Sequence, residues 1–399
     1  MRDRVLFLVL LVTACGAAQA QWEIESSGTT ADLRGIDNVG SGVAWASGTN
    51  GTVLRTEDGG YLWQACAVPP GAEHLDFRGV QAFDANTAIV MSSGKGDLSR
   101  LYKTTDGCHT WKLVFTNPDK DGFWDAIVMT DRNIGMLIGD PVRAGMEAGY
   151  LALRKSRFVF PTYHTIDGGQ DWKRNDGDRM AARVGKDAEP AEAIFAASNS
   201  SLLILPYTVL FVTGGPESGL RYSQYLFGTT PDSCHGACDL ITESDSMLAS
   251  GDTAGGFSLA PNQHFSFNGE GLSNSLIIVA VGGDYKLPDG TAGNAAVCRP
   301  QQEGALVRFK CDKTTSPPHG YRSAVAYDSA TKTWITVGPN GTDISTDDGK
   351  NWRALRPDPA MHEAPDADRN WNALSLPFVV GPHGRIGKLN AKALETAAH

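Results

Sequence analysis

Short apolar, strand-like runs separated by tight polar turns organise this chain. Gly51-Thr-Val-Leu-Arg55 leads into one such turn and Trp63-Gln-Ala-Cys-Ala-Val68 leads out of it. Two runs of this kind around a short Asp-Gly turn predict a β-hairpin. The turn recurs as Thr56-Glu-Asp58-Gly-Gly60-Tyr-Leu-Trp63, Thr104-Thr-Asp106-Gly-Cys108-His-Thr-Trp111, Thr165-Ile-Asp167-Gly-Gly169-Gln-Asp-Trp172 and Ser345-Thr-Asp347-Asp-Gly349-Lys-Asn-Trp352. The shared form is Ser or Thr, any residue, Asp, two turn residues, and Trp five positions after the Asp. The carboxylate can accept backbone N–H groups inside the turn, and Gly supplies positive φ. The Trp opens the second strand, where its ring can be buried against the neighbouring unit. These roles are structural, so Asp58, Asp106, Asp167 and Asp347 are read as turn-holders and not as catalysts.

The repeats also set a phase. Trp22 is followed by a linker and Leu33-Arg-Gly-Ile36, just as Trp63 is followed by a linker and Phe77-Arg-Gly-Val80. The chain therefore begins as the last strand of a unit. Its other end, Pro377–Gly384 and Arg385–Leu389, reads as the middle of a unit with no Trp strand after it. The reading is an all-β, seven-bladed propeller of four-stranded antiparallel blades, closed by the N-terminal strand joining the last blade. The units are 33–68, 77–117, 123–174, 190–245, 255–315, 321–356, and 371–390 with 21–28. The fourth and fifth lack the Asp turn, which leaves six or eight blades open. The fourth is read as strands Ala193–Ala197, Thr208–Thr213 and Leu220–Ser223, and the fifth is centred on Ile277–Val281. Asn175–Glu189, Leu226–Asp252, Gln263–Ser273 and Asp289–Gly304 are expected as surface loops. The propeller domain is 21–390, with a short tail at 391–399.

Composition fits short strands with tight turns: 45 Gly among 399 residues, with 9% aromatics. A net charge of −10 argues against sequence-independent nucleic-acid binding. Arg2 and Arg4, the apolar Val5–Val12 and Ala18-Gln-Ala20 have the layout of a signal peptide over 1–20. Val12-Thr-Ala-Cys15 also fits a lipobox, which would instead anchor the chain through a lipidated Cys15. No segment is long and apolar enough to span a membrane as a mature helix. A periplasmic or extracellular monomer follows as the expectation. Without Cys15, the six cysteines allow 15 disulfide connectivities. The sequence-near pairs Cys234–Cys238 and Cys298–Cys311 are favoured, and Cys66 and Cys108 would then link adjacent repeats. No metal is expected, because no His has zinc-ligand spacing around Cys234 and Cys238. No cofactor is expected either: the chain has no nucleotide fingerprint.

Name the strands of a blade a to d from the axis outward. Loops from d to the next a, and from b to c, share one face, so starts of strand a and ends of strand b crowd one mouth. This places Arg34, Arg78, Asp125, Glu192, Tyr321, Arg322 and Asn372 at strand starts, and Asn50, Lys95, Asp140, Asp284, Tyr285, Asn340 and His383 at strand ends. The candidate ligand-binding funnel is Arg34, Arg78, Asp140, Glu192, Asp284, Tyr285, Tyr321 and Arg322. Arginines there suit a carboxylate or phosphate; carboxylates and Tyr suit sugar hydroxyls or a peptide.

The Asp turn resembles the Asp-box, or BNR repeat, of sialidases and other propellers. The run from Arg34 through Ala44-Trp-Ala-Ser-Gly to Trp63 resembles the photosystem II stability and assembly factor family. That resemblance implies a seven-bladed lumenal propeller without known catalysis that binds a newly made protein subunit. Ile138-Gly-Asp-Pro141, Glu192-Ala-Ile-Phe-Ala-Ala-Ser198, Val281-Gly-Gly-Asp-Tyr285 and Gly320-Tyr-Arg-Ser323 look like a broader bacterial group of related propellers. The expected function is an exported, non-enzymatic propeller binding a protein or peptide. The alternative is a glycoside hydrolase acting on carbohydrate, with Asp140, Glu192 and Tyr285 as candidate catalytic groups. Its carboxylates would have to stand at one of the two productive separations.

Overall fold

In a computed structural model the strand-like runs assemble into seven four-stranded antiparallel blades around one axis. It describes residues 21–143, 158–175, 180–206, 208–224, 240–243, 247–263, 272, 275–303, 306–390 and 393–394. Blade 1 is Leu33–Gly40, Val43–Gly48, Val53–Thr56 and Gln64–Ala65. Blade 2 is Phe77–Ala82, Ala88–Ser92, Arg100–Thr104 and Lys112–Thr116. Blade 3 is Trp124–Met129, Gly135–Gly139, Thr162–Thr165 and Lys173–Arg174. Blade 6 is Ala324–Asp328, Thr333–Gly338, Gly341–Ser345 and Arg353–Ala354. Blade 7 takes Ala373–Ser375, Phe378–Val380 and Ile386–Leu389 from one end of the chain and Trp22–Glu25 from the other. The closing register is Trp22 opposite Leu389 through Glu25 opposite Ile386.

The two blades without an Asp turn differ from expectation. The inner strand of blade 4 is Leu202–Leu205, followed by Thr208–Val212, Leu220–Gln224 and Leu240–Glu243. Ala193–Ala197 is no strand; Ala193 makes only an isolated bridge to Gly214. Blade 5 is Gly251–Pro261, Ile278–Asp284, Ala295–Glu303 and Leu306–Lys313, with short Gly214–Gly215 added on its inner edge. Ala295–Glu303 lies within the stretch expected as a surface loop. It pairs on both sides, and its Ala296, Val297 and Cys298 are buried.

A blade buries its two faces against its neighbours, so the core is not axial. It is divided into seven apolar wedges, one between each pair of adjacent blades, including 7 and 1. The Asp-turn tryptophans enter the wedge shared with the preceding blade: Trp63 packs edge-on to Phe378 of blade 7, and Trp111 edge-on to Trp45 of blade 1. Their turns are built alike. Thr56 Oγ1 donates to Asp58 Oδ1 at 2.8 Å and accepts from the Gly60 amide, while the Leu62 amide donates to Asp58 Oδ1 at 3.0 Å. The same set recurs at Asp106, Asp167 and Asp347. Hydrogen bonds from the Thr110 side chain and backbone hold Asp106 down at about 2.

At the axis the innermost strands present an edge, covered in blade 5 by Gly214–Gly215, whose remaining amides need acceptors. Side chains of adjoining segments supply them. Asp37 accepts the Ala82 amide at 2.7 Å, Gln81 the Met129 amide at 2.7 Å, Ser258 the Val325 amide at 3.0 Å and Ser375 the Asn38 amide at 3.0 Å. Blades are also joined covalently: Cys66 at the edge of blade 1 is bonded to Cys108 in the Asp turn of blade 2, while Cys298–Cys311 bridges two strands of blade 5. Cys234 and Cys238, the 1–20 segment and its Cys15 lie outside the described residues. No helix among those residues is long and apolar enough to cross a membrane.

The closing seam carries a pH dependence. Glu25 accepts the Trp63 indole N–H at 2.6 Å, and burial pushes its carboxyl up to about 7 against the pull of that bond and of Lys388. The folded state thus keeps a proton that the unfolded chain releases near 4.5. Its contribution is complete below about pH 4.5 and is lost as pH rises through about 7. Glu25→Gln is expected to leave the urea midpoint unchanged at pH 4 and raise it at pH 8. Equal shifts at both values would show that Glu25 does not titrate at the seam.

Candidate functional site

The mouth is built by a register jump. Pairing of the two innermost strands skips one residue between Leu33 and Gly35, Phe77 and Gly79, Trp124 and Ala126, and Gly256 and Ser258. Each skip is a β-bulge, which re-aims the extra side chain. The extra residues are Arg34, Arg78, Asp125 and Phe257. The charged ones lie on blades 1 to 3, and the aromatic one on blade 5.

On the charged side Arg78 Nε donates to Asp76 Oδ2 at 2.8 Å, and Arg34 Nε stands 3.7 Å from the other Asp76 oxygen. Both guanidiniums are half-buried, at 29% and 27% side-chain exposure, so each keeps a solvent-facing part beside the shared carboxylate. Asp125 is buried. Burial, then the nearby Asp140 charge, pushes its carboxyl well above the usual range, with Arg78 opposing. Asp140 accepts the Ile194 amide at 2.8 Å, and burial lifts it to about 7.

On the other side Phe257 packs against Phe195 at 4.5 Å and Tyr321 at 4.7 Å between ring centroids, with Tyr285 edge-on at 6.3 Å. Burial pushes the Tyr321 phenol up; Arg34 is close enough to oppose this and Tyr285 close enough to add to it. Tyr285 is 47% exposed.

Between the two sides runs the segment 193–199. Phe195 joins the aromatic wall, and the Ala196 carbonyl accepts from Arg78 at 2.9 Å. Ser198 donates to the Ser323 carbonyl of blade 6 at 2.9 Å, and Asn199 exchanges two hydrogen bonds with Ile127 of blade 3. The segment thus contacts blades on opposite sides of the ring.

No protein-family model matches the chain, and no curated protein matches it. Solved structures match it along most of its length. YCF48 from Cyanidioschyzon merolae aligns over 94% of this chain and 100% of its own, at 17% identity and a TM-score of 0.56. A structure of YCF48 bound to D1 peptide aligns over 92% and 96%, at 16% identity and a TM-score of 0.56. The Niastella koreensis GH74 enzyme overlaps less closely, over 81% of this chain and 49% of its own, at 14% identity and a TM-score of 0.34. At these identities the likeness is one of fold.

The chain thus shares the YCF48 propeller fold, and its sequence-selected residues divide within it. Arg34, Arg78, Asp140, Tyr285 and Tyr321 come together at the mouth. Arg322 does not. It lies two residues before Ala324, in the slot that Leu33, Phe77 and Trp124 fill two residues before Gly35, Gly79 and Ala126, and is fully buried on Asp343. Glu192 is 3% exposed, its carboxylate accepting from the Arg183 amide at 2.7 Å and the Thr213 hydroxyl at 3.0 Å, with Arg221 at 3.2 Å. Asp284 accepts from Thr253 and from the Lys286 amide, holding its own loop. Asp76, Phe195 and Phe257 were not selected from sequence. Asp76 had a signal, since it precedes Phe77-Arg78 as Asp32 precedes Leu33-Arg34. Phe257 had none, because blade 5 carries no Asp turn to fix its phase.

Proposed function

We propose that the protein is an exported, non-enzymatic propeller that binds an extended peptide segment of a partner protein at this mouth, in the manner of an assembly factor. The observation that carries the reading is the arginine pair on Asp76, partly exposed, with Arg34 near the aromatic Tyr321 that packs on Phe257. Guanidiniums fixed by a carboxylate are pre-organised to take a peptide carboxylate or carbonyl, and aromatic faces add apolar contact at low entropic cost. Export is supported by the signal-like 1–20 segment and by the two disulfides, which suit an oxidising compartment. The YCF48 structure bound to D1 peptide supports a peptide as the class of ligand, as does the family resemblance of the first and second repeats.

Peptides selected from a displayed library on the full chain test this. Arg34→Ala and Arg78→Ala are each expected to weaken the selected peptide about 10-fold or more. Peptides that bind the double variant as well as the parent would place recognition elsewhere. Turnover of a fluorogenic glycoside that Asp140→Asn abolishes would replace the proposal with hydrolysis.

A further inference from the structure

Asp125 is 1% exposed, and its carboxyl oxygens have no well-formed hydrogen bond among the described residues; the Asp140 amide beside them donates to the Phe123 carbonyl at 2.8 Å. Buried polar groups are nearly always paired, and a buried carboxylate left alone is costly. The cation beside it is already engaged: Arg78 gives Nε to Asp76 and Nη1 to the Ala196 carbonyl. Asp140 is close enough to repel Asp125 and is itself only partly buried. In the free protein burial favours the neutral carboxyls of Asp125 and Asp140; when both are ionised, they and Asp76 have Arg34 and Arg78 as the cations named at this mouth among the described residues. The cluster then lacks one positive charge.

A single charge carrying several N–H donors fits that deficit. A primary ammonium brings three donors on a compact head, and lysine carries it on a flexible four-carbon stem able to reach below a mouth. A divalent metal fits less well. The described residues hold no cluster of three His, Cys, Asp or Glu side chains able to bind one, and Arg78 opposes a doubly charged ion.

The geometry points to Asp125 and Asp140 as a subsite for a primary ammonium, such as a lysine of the bound segment, beside the arginine pair that takes its carboxylate. This subsite rests on the peptide-binding reading of the mouth and narrows it to segments carrying both charges.

Calorimetric titration of the full chain with 6-aminohexanoate, hexanoate and n-hexylammonium tests the subsite. The aminohexanoate is expected to bind about 10-fold more tightly than hexanoate. Asp125→Asn, which keeps the side-chain shape, should reduce it to the affinity of hexanoate while leaving hexanoate itself unchanged; Asp140→Asn should act in the same direction. Retained hexanoate binding reports that the variants are folded. An aminohexanoate no tighter than hexanoate, an affinity indifferent to Asp125→Asn, or no binding of any probe would overturn the subsite. Where hexanoate still binds and needs Arg78, that failure leaves the peptide reading intact. If n-hexylammonium needs Asp125 while hexanoate ignores both arginines, the subsite stands and the arginine reading fails.

Discussion

Arg322→Met is expected to lower the free energy of unfolding by about 3–5 kcal/mol, because it strands a buried carboxylate. Asp343 is fully buried between blades; its oxygens accept from Arg322 and from His319, and Arg322 also donates to Asn340 and the Tyr321 carbonyl. With the guanidinium gone, only the half-exposed His319 faces that charge. The double change Arg322→Met with Asp343→Leu should cost far less, because the corresponding slots of other blades hold Leu33, Phe77 and Trp124. Replacing a buried ion pair by packed apolar groups is often neutral or stabilising. Urea denaturation of the parent, single and double variants measures this. A double variant as unstable as the single would show that the slot needs the ion pair itself.

Trp22→Ala carries the second large effect, also about 3–5 kcal/mol. Trp22 is 3% exposed in the wedge between blades 6 and 7, with its ring 5.9 Å from Trp371 and with Leu389 and Leu394 in the same cluster. It anchors a strand of only four residues, whose amide end is also held by Glu363 at 2.7 Å. Without the indole the closing strand loses its main apolar hold. The edge of Ile386–Leu389 should then open, seen as faster amide exchange in both partners of the seam. Exchange there matching the parent would mean that backbone pairing and Glu25 suffice to close the ring.

The sequence was most legible where one chemistry repeats. The Asp turns fixed the phase of four blades, and Trp22 in phase with Trp63 located the closing strand. Blades 4 and 5 were less legible, because an apolar run does not say what it packs against. Ala193–Ala197 looked like a strand since Ile194 and Phe195 are apolar; without a sheet, Ile194 is buried in the wedge between blades 3 and 4 and Phe195 packs on Phe257. Ala295–Glu303 looked like part of a loop because the stretch around it, Asp289–Gly304, is rich in Gly, Asp and Asn, yet it is an outer strand whose far end, Gln301 and Gln302, faces water. Arg322 shows the limit at the candidate site. Side chains alternate along a strand, so a slip of one residue moves a side chain to the other face. Charge at a strand start therefore selects the mouth only once the bulge is placed.

Around the axis, the capping side chains are of three kinds at four junctions. A carboxylate links blade 1 to blade 2, a primary amide links blade 2 to blade 3, and hydroxyls link blade 5 to 6 and blade 7 to 1. The carboxylate, amide and hydroxyl caps differ in length and acceptor geometry, so blades 1, 2 and 5 do not present the same contact to their successors. Exchanging blade 1 for blade 5 by recombination would set a short Ser hydroxyl where the Asp37 carboxylate now meets the Ala82 amide. The ring is assembled from similar parts, but the parts are not interchangeable until their axial contacts are rematched.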